Sequence, residues 1–184
     1  GKRTDESLEI VQRLLSGETF DYSGEFFQFE QARIIPVPDP AIPVYVGGRA
    51  DAALRRAGRY ADGWLGIWCS SERYAESIEL FDRAAEERDR SIEADHGIQL
   101  WVGVGEDKDE AASYVGPAME GFYRVPFDKF ARYTPHGTVD NIVDFLAPYL
   151  EAGCRHFNLT PVASSSEKGI EVIAQVRERL RAMA

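Results

Sequence analysis

Two periodicities alternate in the pattern of apolar and polar residues, and they predict helices and strands in turn. Between residues 71 and 90, apolar side chains such as Tyr74, Ile78 and Phe81 recur at helical spacing, which predicts an amphipathic helix. The run IQLWVGVG at 98–105 is instead apolar almost throughout, as is typical of a strand buried on both faces.

The whole chain gives six helices, four strands and an early hairpin. The predicted helices cover residues 5–16, 50–60, 71–90, 108–123, 139–152 and 164–180. The predicted strands, all expected to be buried, cover residues 42–48, 63–68, 98–105 and 154–162. The stretch FDYSGEFFQF at 20–29 predicts the hairpin, and four prolines between Pro36 and Pro43 predict a rigid extended connector.

Helix ends carry recognisable capping residues. Asp107 followed by Glu110 resembles a capping box, and Thr138 is placed as an N-cap. Gly153 is placed as a left-handed cap after the fifth helix. Ser164 and Glu167 are the expected capping pair of the last helix.

Repeated strand–helix units with continuously apolar strands predict an α/β fold with a parallel sheet covered by helices. Four such units make either a small open sheet or half of an eight-fold barrel. A complete (β/α)₈ barrel needs about 250 residues. The 184 residues of this chain therefore cannot hold eight full units.

Composition narrows the functional class. The net charge of −10 argues against general nucleic-acid binding, which requires a basic surface. No apolar run approaches the length of a membrane span, and the first residues show no signal-peptide pattern. The two cysteines, Cys69 and Cys154, are far apart, which favours a reducing cytoplasm, and the three scattered histidines predict no metal site.

The stretch VYVGGRADAALRRAGRY ends a predicted strand in two glycines and starts a helix at once. Gly47 and Gly48 lack a Cβ, so an anion can approach the unpaired N–H groups of the helix N-terminus. Arg49 adds a guanidinium that suits a phosphate. The alternative is a plain tight turn, with Asp51 capping the helix and Arg49 solvated.

Three motifs together resemble the bacterial luciferase-like family. They are FDYSGEFFQF, then PVPDPAIPVYVGG with ALRRAGRYADGW, then HGTVDNIVDFLAPYLEAGCRHFNL. Each motif is weak alone, but their order and spacing match the family from about Arg3 to Leu180. Members are flavin-dependent monooxygenases and relatives that use a deazaflavin coenzyme.

The resemblance implies the fifth to eighth strands of a TIM (β/α)₈ barrel, with the hairpin inserted before the fifth. Residues 1–184 are then a single C-terminal half-barrel domain, expected to be a fragment of a longer chain. The resemblance also implies that FMN or a deazaflavin coenzyme binds this chain through its phosphate. The residues that match the family's phosphate loop are Gly47, Gly48, Arg49 and Ala50.

Other positions carry weaker expectations. Trp68 and Cys69 lie at the exit of the sixth barrel strand. Two interpretations stand for them: contact with the substrate or the isoalloxazine ring, and buried packing. Thr160 is expected to line the mouth of the barrel. Asp62 and Trp64 are expected to hold a turn and to pack. His136 is interpreted as a loop residue rather than a general base.

The leading hypothesis is the C-terminal part of a cytoplasmic flavin- or deazaflavin-dependent oxidoreductase or monooxygenase that acts on a small organic substrate. This chain alone is expected to be weakly active or inactive, and two copies are expected to pair as a homodimer. A second hypothesis is a non-catalytic flavin-binding or interaction half-barrel. A third is an unrelated small α/β protein that binds another phosphate ligand. The sequence identifies no catalytic acid or base.

Overall fold

The predicted order of strands and helices is present in the computed structural model, which describes residues 1–92 and 94–183. The helices are α1 (Lys2–Leu15), α2 (Asp51–Tyr60), α3 (Ser71–Glu86), α4 (Lys108–Tyr123), α5 (Val139–Glu151) and α6 (Ser166–Met183). The strands are β1 (Phe20–Ser23), β2 (Gln28–Ala32), β3 (Tyr45–Gly47), β4 (Gly63–Ile67), β5 (Gly97–Val104), β6 (His136–Gly137) and β7 (His156–Val162).

Two compact units divide the chain. The first unit consists of Gly1–Leu65 and Ser77–Asp95, and the second consists of Gly66–Glu76 and His96–Ala184. The division runs through β4 and α3, so neither unit is a continuous stretch of sequence. The expectation that residues 1–184 form one domain stays a prediction.

In the first unit, the predicted hairpin is confirmed as the antiparallel pair β1–β2. Residues 33–44, which include the four prolines, form no helix or strand. The next strand, β3, pairs in parallel with β4, and Tyr45 stands opposite Gly63.

The expected burial of β3 is wrong. Tyr45 is 37% exposed and Val46 is half-buried, whereas Trp64 on β4 is fully buried. Among the described residues of this unit, β3 pairs only with β4. A strand with one free edge leaves part of its surface in solvent.

The first unit packs α2 closely against α3 through a glycine. Gly58 is buried in α2, and a Cβ at this position would overlap the carbonyl oxygen of Phe81 and lie 2.9 Å from the Cβ of Ala84. Leu54 of α2 and Phe81 of α3 are both fully buried. The close approach of the two backbones therefore depends on the absence of a side chain at Gly58.

In the second unit, β5 is the long central strand. It pairs in parallel with β7 over its whole length, from Gly97 opposite His156 to Gly103 opposite Val162. The two-residue strand β6, which the sequence pattern did not predict, pairs in parallel with the end of β5. The α/β class with parallel strands is confirmed.

The two faces of β5 differ in burial. Ile98, Leu100 and Val102 alternate on one face and are at most 1% exposed. Gln99 and Trp101 lie on the other face and are only half-buried. Because parallel partners in register share a face, Thr160 of β7 lies beside Trp101 on this second face.

Capping hydrogen bonds confirm two of the three predicted N-caps and correct the third. Asp107 accepts a hydrogen bond from the Glu110 N–H at 2.8 Å, and Thr138 forms a capping box with Asn141. At α6, Ser165 and not Ser164 accepts a hydrogen bond from the Lys168 N–H, at 3.2 Å. The sequence offers three successive serines, and only the local backbone decides which hydroxyl reaches the first turn.

Two helix boundaries differ from the prediction. The first helix begins at Lys2 rather than at residue 5. The polar residues before the periodic apolar pattern fit helical backbone angles, so the helix extends through them. The third helix ends at Glu86 rather than at residue 90, and Asp89 adopts a left-handed φ of 53°. The fifth helix passes through Pro148 and is followed by Gly153 at φ 94°, as predicted.

Gly58→Ala is expected to destabilise the protein, although alanine is the better helix former by about 1 kcal/mol. The added methyl group must displace the backbone of α3, and overpacking of this kind costs about 1–3 kcal/mol. Urea unfolding followed by circular dichroism measures the change. Gly121→Ala is the matched control, because a Cβ there meets nothing within 4 Å. This control is expected to be neutral or stabilising, and equal stability of the two variants would contradict the packing argument.

Candidate functional site

The loop that follows β3 contains the four residues that the sequence assigns to a cofactor phosphate. Gly47 ends the strand, and a Cβ on it would meet only the carbonyl oxygen of Leu65, at 3.9 Å. Gly48 adopts φ 133°, which favours glycine, and a Cβ there would lie 2.9 Å from the Cβ of Ala53. A ligand can therefore approach the backbone of Gly47 closely, whereas the positive φ and the nearby Ala53 require glycine at position 48.

The helix that follows has no side-chain cap at its N-terminus. Ala50 is the N-cap residue of α2, with extended backbone angles and no side-chain capping hydrogen bond. Asp51 is the first helical residue, so the alternative in which Asp51 caps α2 is wrong. The side chains of Arg49 and Asp51 are both exposed, so they place one positive and one negative charge at this helix end.

Two side chains of the following turn fix the loop. The indole N–H of Trp64 donates to the carbonyl oxygen of Gly48 at 2.6 Å, and Trp64 itself is fully buried. Asp62 clamps the start of β3, because its carboxylate accepts from the Val44 N–H while its own N–H donates to the Val44 carbonyl, both at 2.8 Å. The structural roles expected for Asp62 and Trp64 are thus present, and Trp64 also holds the candidate phosphate loop.

Trp68 lies in the second unit, in an aromatic cluster near the C-terminal ends of β4 and β5. Its ring centroid is 4.8 Å from that of Tyr123 and 4.8 Å from that of Phe130. Trp68 adopts φ 48°, a left-handed conformation that is uncommon for a bulky residue. Packing, one of the two alternatives for this residue, is what the structure shows.

Thr160 joins the same region through the sheet. It is half-buried and stands opposite Trp101 in the β5–β7 register. Trp101 donates its indole N–H to the Tyr123 hydroxyl at 3.1 Å, and Tyr123 contacts Trp68. The structure therefore places Trp68 in this cluster and Thr160 beside its member Trp101, while the residues of the candidate phosphate loop belong to the first unit.

Periodicity along the sequence did not predict Tyr123, Trp101 or Phe130 as members of this cluster. One signal was present, because alternation in IQLWVGVG places Trp101 on the face opposite Ile98 and Leu100. Tyr123 ends α4 and Phe130 lies between two short 3₁₀ turns, so neither position follows from periodicity. These side chains become neighbours only in the tertiary structure.

Cys69 faces the core of the second unit. It is 4% exposed, and its carbonyl oxygen accepts a hydrogen bond from the Tyr149 hydroxyl at 2.6 Å. Burial raises the pKa of Tyr149 and of Tyr74, and it raises the pKa of the Cys154 thiol to about 11. These four residues form a buried sulfur–aromatic cluster that suits packing.

His136 lies on the short strand β6, where it stands opposite Gly103 of β5, so the loop position expected for it is wrong. Its Nδ1 atom lies 2.7 Å from the carbonyl oxygen of Thr134. Within residues 1–92 and 94–183, no group of three or more His, Cys, Asp or Glu side chains is arranged to hold a metal ion. Among the same residues, no helix is both long enough and apolar enough to cross a membrane.

Comparison with known proteins establishes the family. The sequence model of the luciferase-like monooxygenase family matches residues 1–154. The chain is 52% identical over 65 residues to a Mycobacterium tuberculosis protein of uncharacterised function, a match that covers 35% of this chain and 22% of that protein. It is 25% identical over 209 residues to the F420-dependent glucose-6-phosphate dehydrogenase of Nocardia farcinica, across 99% of this chain and 61% of the relative.

Solved structures share the fold. An F420-dependent secondary alcohol dehydrogenase in complex with an F420–acetone adduct superposes with a TM-score of 0.82 at 20% identity, over 94% of this chain and 59% of that one. A Baeyer–Villiger monooxygenase component of Pseudomonas putida in complex with FMN gives a TM-score of 0.58 at 15% identity, over 85% of this chain and 55% of that one. The chain thus spans about 60% of the length of its curated F420-dependent relatives.

These comparisons confirm the resemblance and the fold class, and they place both FMN and the deazaflavin F420 among the cofactors of similar proteins. The third hypothesis, an unrelated α/β protein, is excluded by the family match.

Trp68→Ala is expected to lower the free energy of unfolding by about 2–3 kcal/mol, because it removes a half-buried indole from contact with two rings. Phe122→Ala is the control, since Phe122 is aromatic but 70% exposed. Its expected cost is below about 1 kcal/mol. Chemical denaturation of the two variants measures both values, and a small loss for Trp68→Ala would show that the cluster does not hold this side chain.

The Cys154 thiol is expected to resist alkylation in the folded protein. With its pKa raised to about 11 by burial, only about one thiol in a thousand is ionised at pH 8. Iodoacetamide labelling at pH 8, analysed by peptide mass spectrometry, is therefore expected to be more than about a hundredfold slower in the native chain than in urea. Equal rates in the two states would contradict the buried position of Cys154.

Proposed function

The chain belongs to the luciferase-like monooxygenase family, and we propose that it is the part of an oxidoreductase that binds the phosphate of FMN or of the deazaflavin F420. The proposed phosphate site is the loop after β3, formed by Gly47, Gly48, Arg49 and Ala50. Because the chain spans about 60% of the length of its curated F420-dependent relatives, the activity proposed is that of the complete enzyme.

The observation that carries this proposal is the backbone geometry of the loop. Gly48 has a φ of 133° that other residues rarely adopt, and Trp64 fixes its carbonyl group from the buried side at 2.6 Å. The loop leads directly into α2, whose N-cap residue Ala50 supplies no capping side chain. A preset loop with glycine backbone at a helix N-terminus is the arrangement that binds phosphate in many folds.

The residues present fit such a group. A phosphate needs close access to N–H donors, and the space in front of Gly47 is open because a Cβ there would meet one atom at 3.9 Å. The helix N-terminus adds partial positive charge. When bound, FMN or F420 supplies the hydride or electron chemistry, and the protein supplies binding and orientation.

Charge at the loop is balanced rather than strongly positive. Arg49 attracts a phosphate through charge-assisted hydrogen bonds, which contribute about 1.5–3 kcal/mol each. Asp51, at the first position of α2, repels the same anion. Arg49 is therefore needed to offset Asp51, and affinity is expected to depend on both side chains.

Within the second unit, we extend the proposal to a surface for the organic substrate. Thr160 lies beside the half-buried Trp101, whose indole contacts Tyr123, and Tyr123 in turn contacts Trp68. Aromatic rings with one hydroxyl group nearby suit a small substrate that is largely apolar and carries a polar handle. In this proposal Trp68 and Thr160 line the surface and no catalytic acid or base is assigned.

A non-catalytic flavin-binding half-barrel is the second candidate. It is favoured by the aromatic cluster around Trp68, in which the structure shows packing between rings and to which no catalytic acid or base is assigned. In that case residues 1–184 form one domain that binds cofactor without turnover. The proposed homodimer and the proposed cytoplasmic setting, for which the two free thiols are the support, apply to either candidate.

Cofactor titration tests the phosphate loop. The purified chain is expected to bind FMN or F420 saturably, and Arg49→Ala is expected to weaken binding by about tenfold because it removes the charge-assisted contact. Asp51→Asn is expected to tighten binding by about two- to fivefold because it removes a repelling charge at the helix end. Fluorescence of the cofactor measures each dissociation constant.

Two controls make the titration decisive. Arg88→Ala removes a positive charge of the same kind elsewhere in the first unit and is expected to leave affinity unchanged. Circular dichroism of each variant verifies folding. Equal affinities of wild type, Arg49→Ala and Asp51→Asn would place the phosphate away from this loop, and no binding by a folded wild-type chain would refute cofactor binding by residues 1–184.

A further inference from the structure

The tyrosine hydroxyl at the end of α4 accepts a hydrogen bond and keeps its own proton available. The indole Nε1 atom of Trp101 lies 3.1 Å from the hydroxyl oxygen of Tyr123. An indole N–H can only donate, so the Tyr123 oxygen is the acceptor. Among residues 1–92 and 94–183, the Tyr123 hydroxyl makes no second hydrogen bond. Its O–H group can therefore donate to a ligand.

Neighbouring aromatic rings fix the position of this hydroxyl. The ring centroid of Tyr123 lies 4.8 Å from those of Trp68 and Phe122, 5.1 Å from that of Phe130 and 6.2 Å from that of Trp101. Contacts on several sides hold the ring in one orientation, so only the O–H bond remains free to rotate. Because the Trp101 N–H occupies one lone pair, the O–H bond is directed away from that nitrogen. A donor that is already oriented loses little entropy when it binds a ligand.

Other tyrosines of the second unit use their hydroxyl protons within the protein. Tyr114, on the same helix, donates to the Glu110 carboxylate at 3.0 Å. Tyr149 donates to the carbonyl oxygen of Cys69 at 2.6 Å. Tyr123 differs from both, because its structural role as acceptor for Trp101 uses an oxygen lone pair and not the proton.

An open apolar surface lies next to the hydroxyl. Tyr123 and Trp101 are both half-buried, and Phe122 is 70% exposed. The ring centroids of Phe122 and Trp101 lie 5.7 Å apart, so the two rings form one surface beside Tyr123. An apolar ligand that packs on these rings can bring a hydrogen-bond acceptor to the Tyr123 O–H group.

The strands beside this surface offer no ionic partner to a ligand. Neither β5 (GIQLWVGV) nor β7 (HFNLTPV) contains an Asp, Glu, Lys or Arg residue. Glu120 and Arg124, near the end of α4, are both exposed and opposite in charge, so together they add no net cation. A carboxylate or phosphate that loses water against apolar rings costs free energy unless a cation pairs with it. An uncharged oxygen acceptor is the group that fits this surface.

We propose that the Tyr123 hydroxyl donates a hydrogen bond to an uncharged carbonyl or hydroxyl oxygen of the substrate, whose apolar part packs on Phe122 and Trp101. Tyr123 is then a specificity-determining residue, because it favours a compound with this oxygen over a hydrocarbon of the same shape. The inference rests on the proposed function, since it supplies the polar contact of the proposed substrate surface. It involves no residue of the candidate phosphate loop.

The experiment compares cyclohexanone with methylenecyclohexane, two ligands of nearly the same shape that carry an exocyclic oxygen and an exocyclic CH₂ group. NMR titration of the purified chain measures both dissociation constants and follows the indole N–H signal of Trp101, which is expected to shift with cyclohexanone. The ratio of the two constants gives the preference for the oxygen. Tyr123→Phe is expected to lower this preference about fivefold, the factor that corresponds to one neutral hydrogen bond. The difference in hydrophobicity between the ligands cancels in this comparison.

Tyr114→Phe is the matched control, because it removes a hydroxyl group from the same helix whose proton is already donated to Glu110. It is expected to leave the preference within about twofold of wild type. Circular dichroism verifies that each variant is folded. Thr160→Val tests the other hydroxyl group beside Trp101.

Three outcomes would overturn the proposal. They are an unchanged preference in Tyr123→Phe, an equal change in Tyr114→Phe, and a larger change in Thr160→Val, which would assign the contact to Thr160. If Tyr123→Phe does not fold, the wild-type titration decides, since an unshifted Trp101 signal at saturating cyclohexanone refutes the contact. No binding of either ligand would refute the proposed substrate surface as well. None of these outcomes bears on the FMN and F420 titration.

Discussion

Backbone pairing is the constraint on which the rest of this structure depends. A parallel strand leaves N–H and C=O groups unpaired along any edge that has no neighbour, and helices must cover its faces. β3 pairs only with β4 in the first unit, and β7 pairs only with β5 in the second, as far as the described residues show. The partial exposure of both strands follows from these single pairings.

At β3, side-chain hydrogen bonds replace part of the backbone pairing that a second neighbouring strand would provide. Asp62 binds the backbone of Val44, and Trp64 binds the backbone of Gly48, so a three-residue strand keeps a defined end. A short strand without such bonds would fray, because three residues provide few ladder hydrogen bonds. The candidate phosphate loop is therefore held by the turn that follows α2 as well as by its own glycines.

Family membership and site geometry answer different questions. The match over residues 1–154 establishes the luciferase-like family, within which similar proteins use F420 or FMN. The neutral balance of Arg49 and Asp51 at α2 does not distinguish the two cofactors, because the phosphate end is common to both. The aromatic cluster of Trp68, Trp101 and Tyr123 is likewise general in its chemistry, because it offers ring faces and one hydroxyl group.

The sequence by itself determined the α/β class, the order of helices and strands, the hairpin and most of the caps, because these depend on local periodicity and local hydrogen bonds. The sequence also predicted turns at Gly48 and Asp62, because a turn between a strand and a helix restricts the residue types that fit it. Only the tertiary structure decided that β3 is exposed, that Ser165 caps α6, and that Trp64 holds the Gly48 carbonyl. Each of these depends on which segments are neighbours in space, and periodicity along one segment carries no information about a partner many residues away.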